Sequence, residues 1–546
     1  MNPAENSTRV TVEHKVAATL KSNGVPYVFG MPGGGSSIDM IEACRSENIP
    51  FVLLQHETSA ALMAVVCGEL TNTCGISLSI MATGAANQTG GAAYAYLERH
   101  PLICITECYG PVEMPLMSLQ KIDHALAFSA YCKESITLGE SDAALYVDKA
   151  IQLAKSERPG PVHIDFPLDV GQSSSSSLSA SLDKNNPQNV FGDLDKVVDS
   201  INSSQKPLVI VGPVALRQEA GDQILDIVDK LQAAVMVTSK ARGIISEDHP
   251  LYAGIMSGVY TKGTLEERIV SKSDAVIAIG LDRMELLSPW KHKQPIITLD
   301  AIEIDENETV GQPVASASGS LPNLLRSVSI GLQSRSTWNH EEVSMFWSQA
   351  MGELGAHRNH LNATSVLLHA RKAAPKDSIV TAEAGVYGRV SLYAWKVYEP
   401  KTYFDSSGAN TMGFSIPAAL GASLVKPQQK TISLVGDSGF LMRASELETA
   451  ARLNLAPIII IFDDATLGMI RIKQRSKGYK RDGVDLAQTN FVTLAESFGG
   501  QGWEVRDLHE FDSAFKIALD SHRMSVIDVR VDPDEYASHI KPIRGI

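Results

Sequence analysis

The chain has 546 residues, 44% of them hydrophobic, and a formal net charge of -14 at neutral pH. That length exceeds one hydrophobic core and predicts about three domains. The acidic balance excludes a nucleic-acid binder, which needs a basic face.

The opening stretch MNPAENSTRVTVEHKV has no basic segment followed by an apolar one, so no secretory signal is expected. No apolar run is long enough to span a bilayer, so no membrane partner is expected either. The six cysteines, Cys44, Cys67, Cys74, Cys104, Cys108 and Cys132, lack a C-x-x-C pair and lie in mostly apolar surroundings. They read as buried free thiols rather than a zinc site, in a cytoplasmic, reducing setting.

Short β-branched runs follow one another along the chain: GISLSIMATG (75–84), PLICIT (101–106), PLVIVG (207–212), AVIAIG (275–280), PIITLD (295–300), TISLVGD (431–437) and PIIIIFDD (457–464). Continuous apolar runs suit strands buried on both faces of a parallel sheet. Helical patterns such as ASELETAARLNL (444–455) alternate with them. The predicted class is α/β, with parallel sheets, helices on both faces and right-handed crossovers. A polar, Ser-rich stretch at 173–189 reads as a linker, and GLQSRSTWNHEE (331–342) as a weaker break. The expected domains are 1–172, 190–330 and 345–546. No short-period repeat is visible, although the first and third segments could be diverged copies of one sheet.

GDSG (436–439) is also the tetrapeptide around a trypsin-like nucleophile. Here it follows an apolar strand in an α/β pattern, and Phe440 breaks the G-x-S-x-G of a nucleophile elbow, so Ser438 is not expected to be one. Asp437 stands instead at a strand end, where parallel sheets gather ligands. A second strand ends in Asp463 and Asp464. Two such ends could present carboxylates to one Mg²⁺, helped by a helix opening near Ala444; strand-end aspartates that merely cap helices are the alternative.

The stretch GDSGFLMRASELETAARLNLAPIIIIFDDATLGMI (436–470) resembles the thiamine-diphosphate (ThDP) motif. GVPYVFGMPGGGS (24–36), QHETSAALMA (55–64), RPGPVHIDFPLDV (158–170), SKARGIISEDHPLYAGIMSG and GANTMGFSIPAALGA (408–422) are similar, in the same order, to acetolactate synthase and its relatives. The resemblance covers essentially the whole chain.

It implies a pyrimidine-binding first domain, a Rossmann-like middle domain and a third domain that binds diphosphate and Mg²⁺. Glu57, in FVLLQHE, takes the place of the carboxylate that bonds N1′ of the aminopyrimidine. Gly33 and Gly34 match a loop facing the reacting carbonyl, and Gln120 an active-site Gln. The implied cofactor contacts are Gly385, Val386, Tyr387, Asn410, Met412, Gly436, Asp437, Ser438, Gly439, Asp464 and Met469. The implied Mg²⁺ ligands are Asp437, Asp464 and the Thr466 carbonyl.

Departures stand beside the matches. Val386-Tyr387 replaces the family's Gln-His, Asp464 its Asn and Ser438 its second Gly. Leu119, Cys108 and Lys473 alter the acceptor pocket. LDRME (281–285) replaces the signature found where the middle domain holds FAD, so FAD is not expected. No adjacent His-His pair occurs, and His56 and His100 read as structural.

The implied activity is decarboxylation of a 2-oxo acid, pyruvate by default, with ligation to a second carbonyl. A benzoylformate decarboxylase-like enzyme acting on aromatic or branched 2-oxo acids is one alternative. A 2-hydroxyacyl-CoA lyase or oxalyl-CoA decarboxylase-like enzyme, with an acyl-CoA substrate, is another. The family also implies a homodimer or homotetramer with active sites at the subunit interface. A nucleotide-binding module would need G-x-G-x-x-G after the first strand, a spacing that GMPGGGSS lacks.

Overall fold

The computed structural model describes residues 11–171, 190–259, 261–303, 310–356 and 358–545. The Ser-rich stretch at 173–189 lies outside them. The chain divides into two compact units, one of Met1–Lys184, Ile416–Gln428 and Arg443–Leu455, the other of Asn185–Ser415, Gln429–Met442 and Ala456–Ile546.

The first unit holds strands β1 (Val28–Met31), β2 (Phe51–Leu53), β3 (Gly75–Ser79), β4 (Leu102–Cys108), β5 (Ser135–Thr137) and β6 (Pro161–Pro167) in the order β2-β1-β3-β4-β6-β5. All pairings are parallel. The central strands β3, β4 and β6 are buried along their whole length, as their unbroken apolar runs require.

The second unit holds two sheets. Its middle sheet contains β7 (Phe191–Gly192), β8 (Pro207–Val211), β9 (Ala234–Val237), β10 (Tyr252–Ile255), β11 (Ala275–Ile279), β12 (Ile296–Asp300) and β13 (Pro313–Ser318), in the order β10-β9-β8-β11-β12-β13-β7. Only the short edge strand β7 runs antiparallel. The other sheet contains β14 (Ile379–Ala382), β15 (Tyr403–Phe404), β16 (Thr431–Gly436), β17 (Ile458–Asp463), β18 (Gln501–Val505) and β19 (Ser525–Arg530), ordered β15-β14-β16-β17-β19-β18. Counted from its own first strand, that order is the order of the first unit's sheet. The two sheets share a topology that their sequences do not display as a repeat.

The helix expected to open near Ala444 is Glu446–Arg452, with Ser445 at its N-cap, and a further helix, Asp437–Arg443, starts ahead of it at Asp437 itself. The carboxylate of Asp437 folds onto the next residue, where its Oδ1 accepts the Ser438 N–H at 2.6 Å.

A buried ion pair joins the two sheets of the second unit. Arg242 donates to Glu247 Oε1 at 2.7 Å and Oε2 at 3.1 Å. It also donates to the Trp395 carbonyl and lies over the Tyr403 ring at 4.2 Å. Both charged side chains are 1% exposed, so removing one leaves the other buried and unpaired. Arg242→Ala is expected to lower stability by about 3–5 kcal/mol, read as an earlier denaturant midpoint with an unchanged transition slope.

Candidate functional site

In the second unit, β16 and β17 are neighbours and their carboxyl ends deliver Asp437, Asp463 and Asp464 together. Asp437 is 5% exposed, and its Oδ2 has no hydrogen-bond partner among the described residues. Burial, and then the charge of Asp464, push its carboxyl up to about 7. Burial pushes Asp464 up to about 6. Asp464 Oδ1 accepts the Thr466 N–H at 2.8 Å, across Ala465 at φ +53°. Thr466 is itself fixed, its hydroxyl donating to the Val484 carbonyl at 2.8 Å. Asp463 differs from its neighbours because Arg530 pairs with it. The result is a buried carboxylate with an unsatisfied oxygen beside a half-buried one, with no ion pair to either among the described residues. That donor set suits a hard divalent cation.

Gly385 ends the turn after β14 and precedes helix Val386–Ala394. A Cβ on Gly385 would lie 2.4 Å from the Tyr387 ring, and one on Gly436 would lie 3.2 Å from it. Tyr387 is buried and stacks on Phe462 of β17, with centroids 4.8 Å apart and planes 1° apart. These glycines make room for an aromatic ring at the strand ends. Gly439 does the same for a carboxylate, since its Cβ would fall 1.6 Å from Glu383 Oε1. Glu383 is buried, and its Oε2 accepts the Ser415 N–H at 3.3 Å. Desolvation pushes it up to about 7.

Asn410, at φ +50°, is bound by Arg389, which ties helix Val386–Ala394 to the loop carrying Met412. Met412 is half-buried, and Met469 is half-buried against the core. Ser438 is half-buried and hydrogen-bonded only through its backbone to Asp437, with no histidine beside it among the described residues.

In the first unit, Glu57 opens helix Glu57–Thr71 and is 6% exposed. His56 caps that helix through Nδ1, which accepts the Thr58 N–H at 3.1 Å. Glu57 Oε2 accepts from Asn87 Nδ2 at 3.0 Å, and a Cβ on Gly84 would lie 3.2 Å from Oε1. The PGGG loop wraps a second buried carboxylate. Glu107 Oε1 accepts the Ser37 N–H at 2.6 Å, and a Cβ on Gly33 would meet Oε2 at 2.7 Å. Gly34 has no neighbour within 4 Å of its would-be Cβ. Gln120, at φ +50°, is exposed, and no hydrogen bond among the described residues brings it to this loop.

His124, His163 and Asp165 also converge in the first unit. The Ala82 N–H donates to His124 Nε2 at 3.0 Å, so Nδ1 carries the proton and donates to Asp165 at 2.7 Å. The Thr106 hydroxyl lies 2.7 Å from Asp165 Oδ1 and 2.8 Å from His163 Nε2. It fills the space an ion would take, and burial holds His163 down at about 4. This cluster is a satisfied polar core. His100 is structural in the same sense, bonded to Glu69 at 2.9 Å and stacked on Tyr94.

Family models match along the chain: the N-terminal TPP binding domain of thiamine pyrophosphate enzymes over residues 10–125, their central domain over 194–323, and their C-terminal TPP binding domain over 383–529. The chain is a thiamine pyrophosphate enzyme resembling the acetolactate synthases. It is 27% identical over 563 residues to the "Probable acetolactate synthase large subunit" of Methanococcus aeolicus, covering 96% of this chain and 92% of that one. It is 27% identical over 533 residues to the acetolactate synthase of Bacillus subtilis, covering 95% and 92%. With the acetolactate synthase isozyme 3 large subunit of Escherichia coli it shares 26% over 561 residues, covering 97% and 96%. No helix among the described residues is long and apolar enough to cross a membrane.

Sequence reading missed Glu383, Glu107 and Asn87. Glu383 and Glu107 stand in EAGVY (383–387) and ECYG (107–110), beside Gly385 and Cys108, which carried the resemblance and its departures instead. Asn87 carried no signal beyond its position in TGAANQTG. Because Glu383 is held by backbone donors, Gly439→Ala cannot be relieved by a small side-chain shift. It is expected to cost about 1–3 kcal/mol as an overpacked site and to weaken ThDP binding, measured by melting curves and calorimetric titration.

Proposed function

We propose that this enzyme uses ThDP with Mg²⁺ to decarboxylate a 2-oxo acid, pyruvate by default, and joins the product to a second carbonyl. The observation that carries the metal is the buried, unpartnered oxygen of Asp437 beside Asp464. When bound, ThDP supplies the electron sink that lets a 2-oxo acid lose CO₂.

The chain's residues do the rest. Asp437, Asp464 and the Thr466 carbonyl would hold the Mg²⁺. The backbone from Gly436 to Gly439 and the turn at Gly385 would approach the diphosphate, with Val386 and Tyr387 beside it. Asn410, Met412 and Met469 would shape the cofactor's bed. Glu57, aimed by Asn87 and given room by Gly84, would hold a proton at N1′ of the aminopyrimidine. Gly33 and Gly34 would leave room at the reacting carbonyl, with Gln120 brought in from its exposed segment. Homodimers or homotetramers in the cytoplasm, with active sites at subunit interfaces, complete the reading.

Ligation is favoured over simple decarboxylation because releasing an aldehyde needs a placed proton donor. The histidines seen in the first unit are committed elsewhere: His124 to Ala82 and Asp165, His56 to its helix cap.

Three outcomes are expected. Carbon-labelled pyruvate, followed by NMR, gives mainly a carbon–carbon ligation product; acetaldehyde as the main product would defeat the ligase reading. Glu57→Gln keeps ThDP binding by calorimetry but lowers turnover about a hundredfold or more. The third concerns pH. Asp437 and Asp464 keep protons up to about 7 and about 6, so a cation must displace them at lower pH. With ThDP present, Mg²⁺ should therefore raise the melting temperature more at pH 8 than at pH 5.5, and Asp437→Ala should remove that difference.

A further inference from the structure

In the first unit a short turn joins the end of β3 to the helix Thr83–Leu97. The turn closes on Ala82, at φ +56° and ψ −100°. A Cβ makes that conformation costly, whereas glycine adopts it as readily as its mirror image. Ala82 also stands at the N-cap, where alanine has no side chain to bond the first-turn amides. The turn is held from outside. His124 is 4% exposed, and its Nε2 accepts the Ala82 N–H at 3.0 Å.

His124 is itself fixed. Its Nδ1 donates to Asp165 Oδ1 at 2.7 Å, and the Thr106 hydroxyl donates to the same oxygen at 2.7 Å. With the proton committed to Nδ1, Nε2 is left as an acceptor. At the other end of the short helix His124–Phe128, the Phe128 ring stacks on His163 with centroids 4.1 Å apart.

The helix that this turn launches faces Glu57. The Ala86 N–H donates to the Ala82 carbonyl at 2.8 Å, so the first turn is built directly on Ala82. It carries Gly84, which leaves room for Glu57 Oε1, and leads to Asn87, whose Nδ2 donates to Glu57 Oε2 at 3.0 Å. The Asn87 carbonyl also accepts the Thr58 hydroxyl at 2.5 Å. Just beyond, Gln88 is tied back to β3, to Ser77 at 2.6 Å and Ser79 at 3.1 Å. A shift at Ala82 is therefore taken up in the first turn, beside Glu57.

We propose that His124 is a positioning residue for Glu57: it clamps the strained turn at Ala82, and the turn aims Asn87 at the carboxylate. This rests on the reading of Glu57 as the partner of N1′.

The test uses the full-length enzyme with saturating ThDP and Mg²⁺, and two readouts that need no substrate. A carboxylate at N1′ assists loss of the thiazolium C2 proton, so exchange of that proton with deuterium, followed by NMR, reports on Glu57. Amide exchange over residues 83–90, followed by mass spectrometry, reports on the helix. His124→Phe keeps a ring but has no acceptor. It is expected to slow C2 exchange about tenfold or more, the effect of a small misplacement near the reacting atoms. It should speed amide exchange about tenfold, the scale of one lost hydrogen bond. Adding Ala82→Gly, for which the turn needs no clamp, should return both rates to within about threefold of wild type. In a Glu57→Gln background, His124→Phe should change C2 exchange by less than about twofold, because residues acting as a unit are non-additive. A defect that Ala82→Gly leaves in place means packing alone and overturns the proposal. If His124→Phe does not fold, the double variant with Ala82→Gly is expected to fold and to exchange at nearly the wild-type rate, and its failure to do so also overturns the proposal. If Glu57→Gln slows C2 exchange and His124→Phe does not, the Glu57 reading stands and the role of His124 falls. If Glu57→Gln leaves C2 exchange unchanged, the Glu57 reading falls and the proposal with it.

Discussion

The constraint that organises the C-terminal sheet is negative charge held at the adjacent ends of β16 and β17. Three carboxylates arrive there because two parallel neighbours both end in aspartate. Their mutual repulsion is strong where water is scarce. The chain answers it unevenly. Asp463 receives Arg530, and Asp464 receives the Thr466 N–H. Asp437 keeps an oxygen with no partner among the described residues. Residual buried charge of this kind is costly in a protein that never binds a cation.

Around those ends the sequence places glycine wherever a large group must come close. Gly385 and Gly436 border the Tyr387 ring, Gly439 borders Glu383, and Gly468 borders Tyr536. Each is needed for close approach rather than for an unusual turn. The Tyr387 ring, stacked on Phe462, and Glu383 then stand at these strand ends. Burial keeps the Tyr387 phenol far above its ordinary titration range, so the hydroxyl remains a donor.

The first unit shows how little topology says about chemistry. Its sheet repeats the strand order of the C-terminal sheet, yet no aspartate pair stands at the ends of β3 and β4. It instead buries single carboxylates, Glu57 beneath Asn87 and Glu107 beneath the glycine loop. One topology thus carries two kinds of site: a charge-rich strand end, and isolated carboxylates each supplied with its own donors.

The sequence by itself determined the strands and the class of fold, because unbroken runs such as PIIIIFDD can only be buried on both faces of a parallel sheet. It also marked the aspartates at the strand ends, since a turn residue directly after an apolar run is local information. The position of the first helix after β16 was less legible, because it opens directly on the strand-end Asp437, ahead of the apolar period. Tertiary structure alone decided the partners. Arg530, Glu383 and Tyr536 reach the same strand ends from distant parts of the chain, and His124 and His163 meet across 39 positions. Strand order and helix docking set those encounters, and neither leaves a periodic or spaced pattern in the residues that meet.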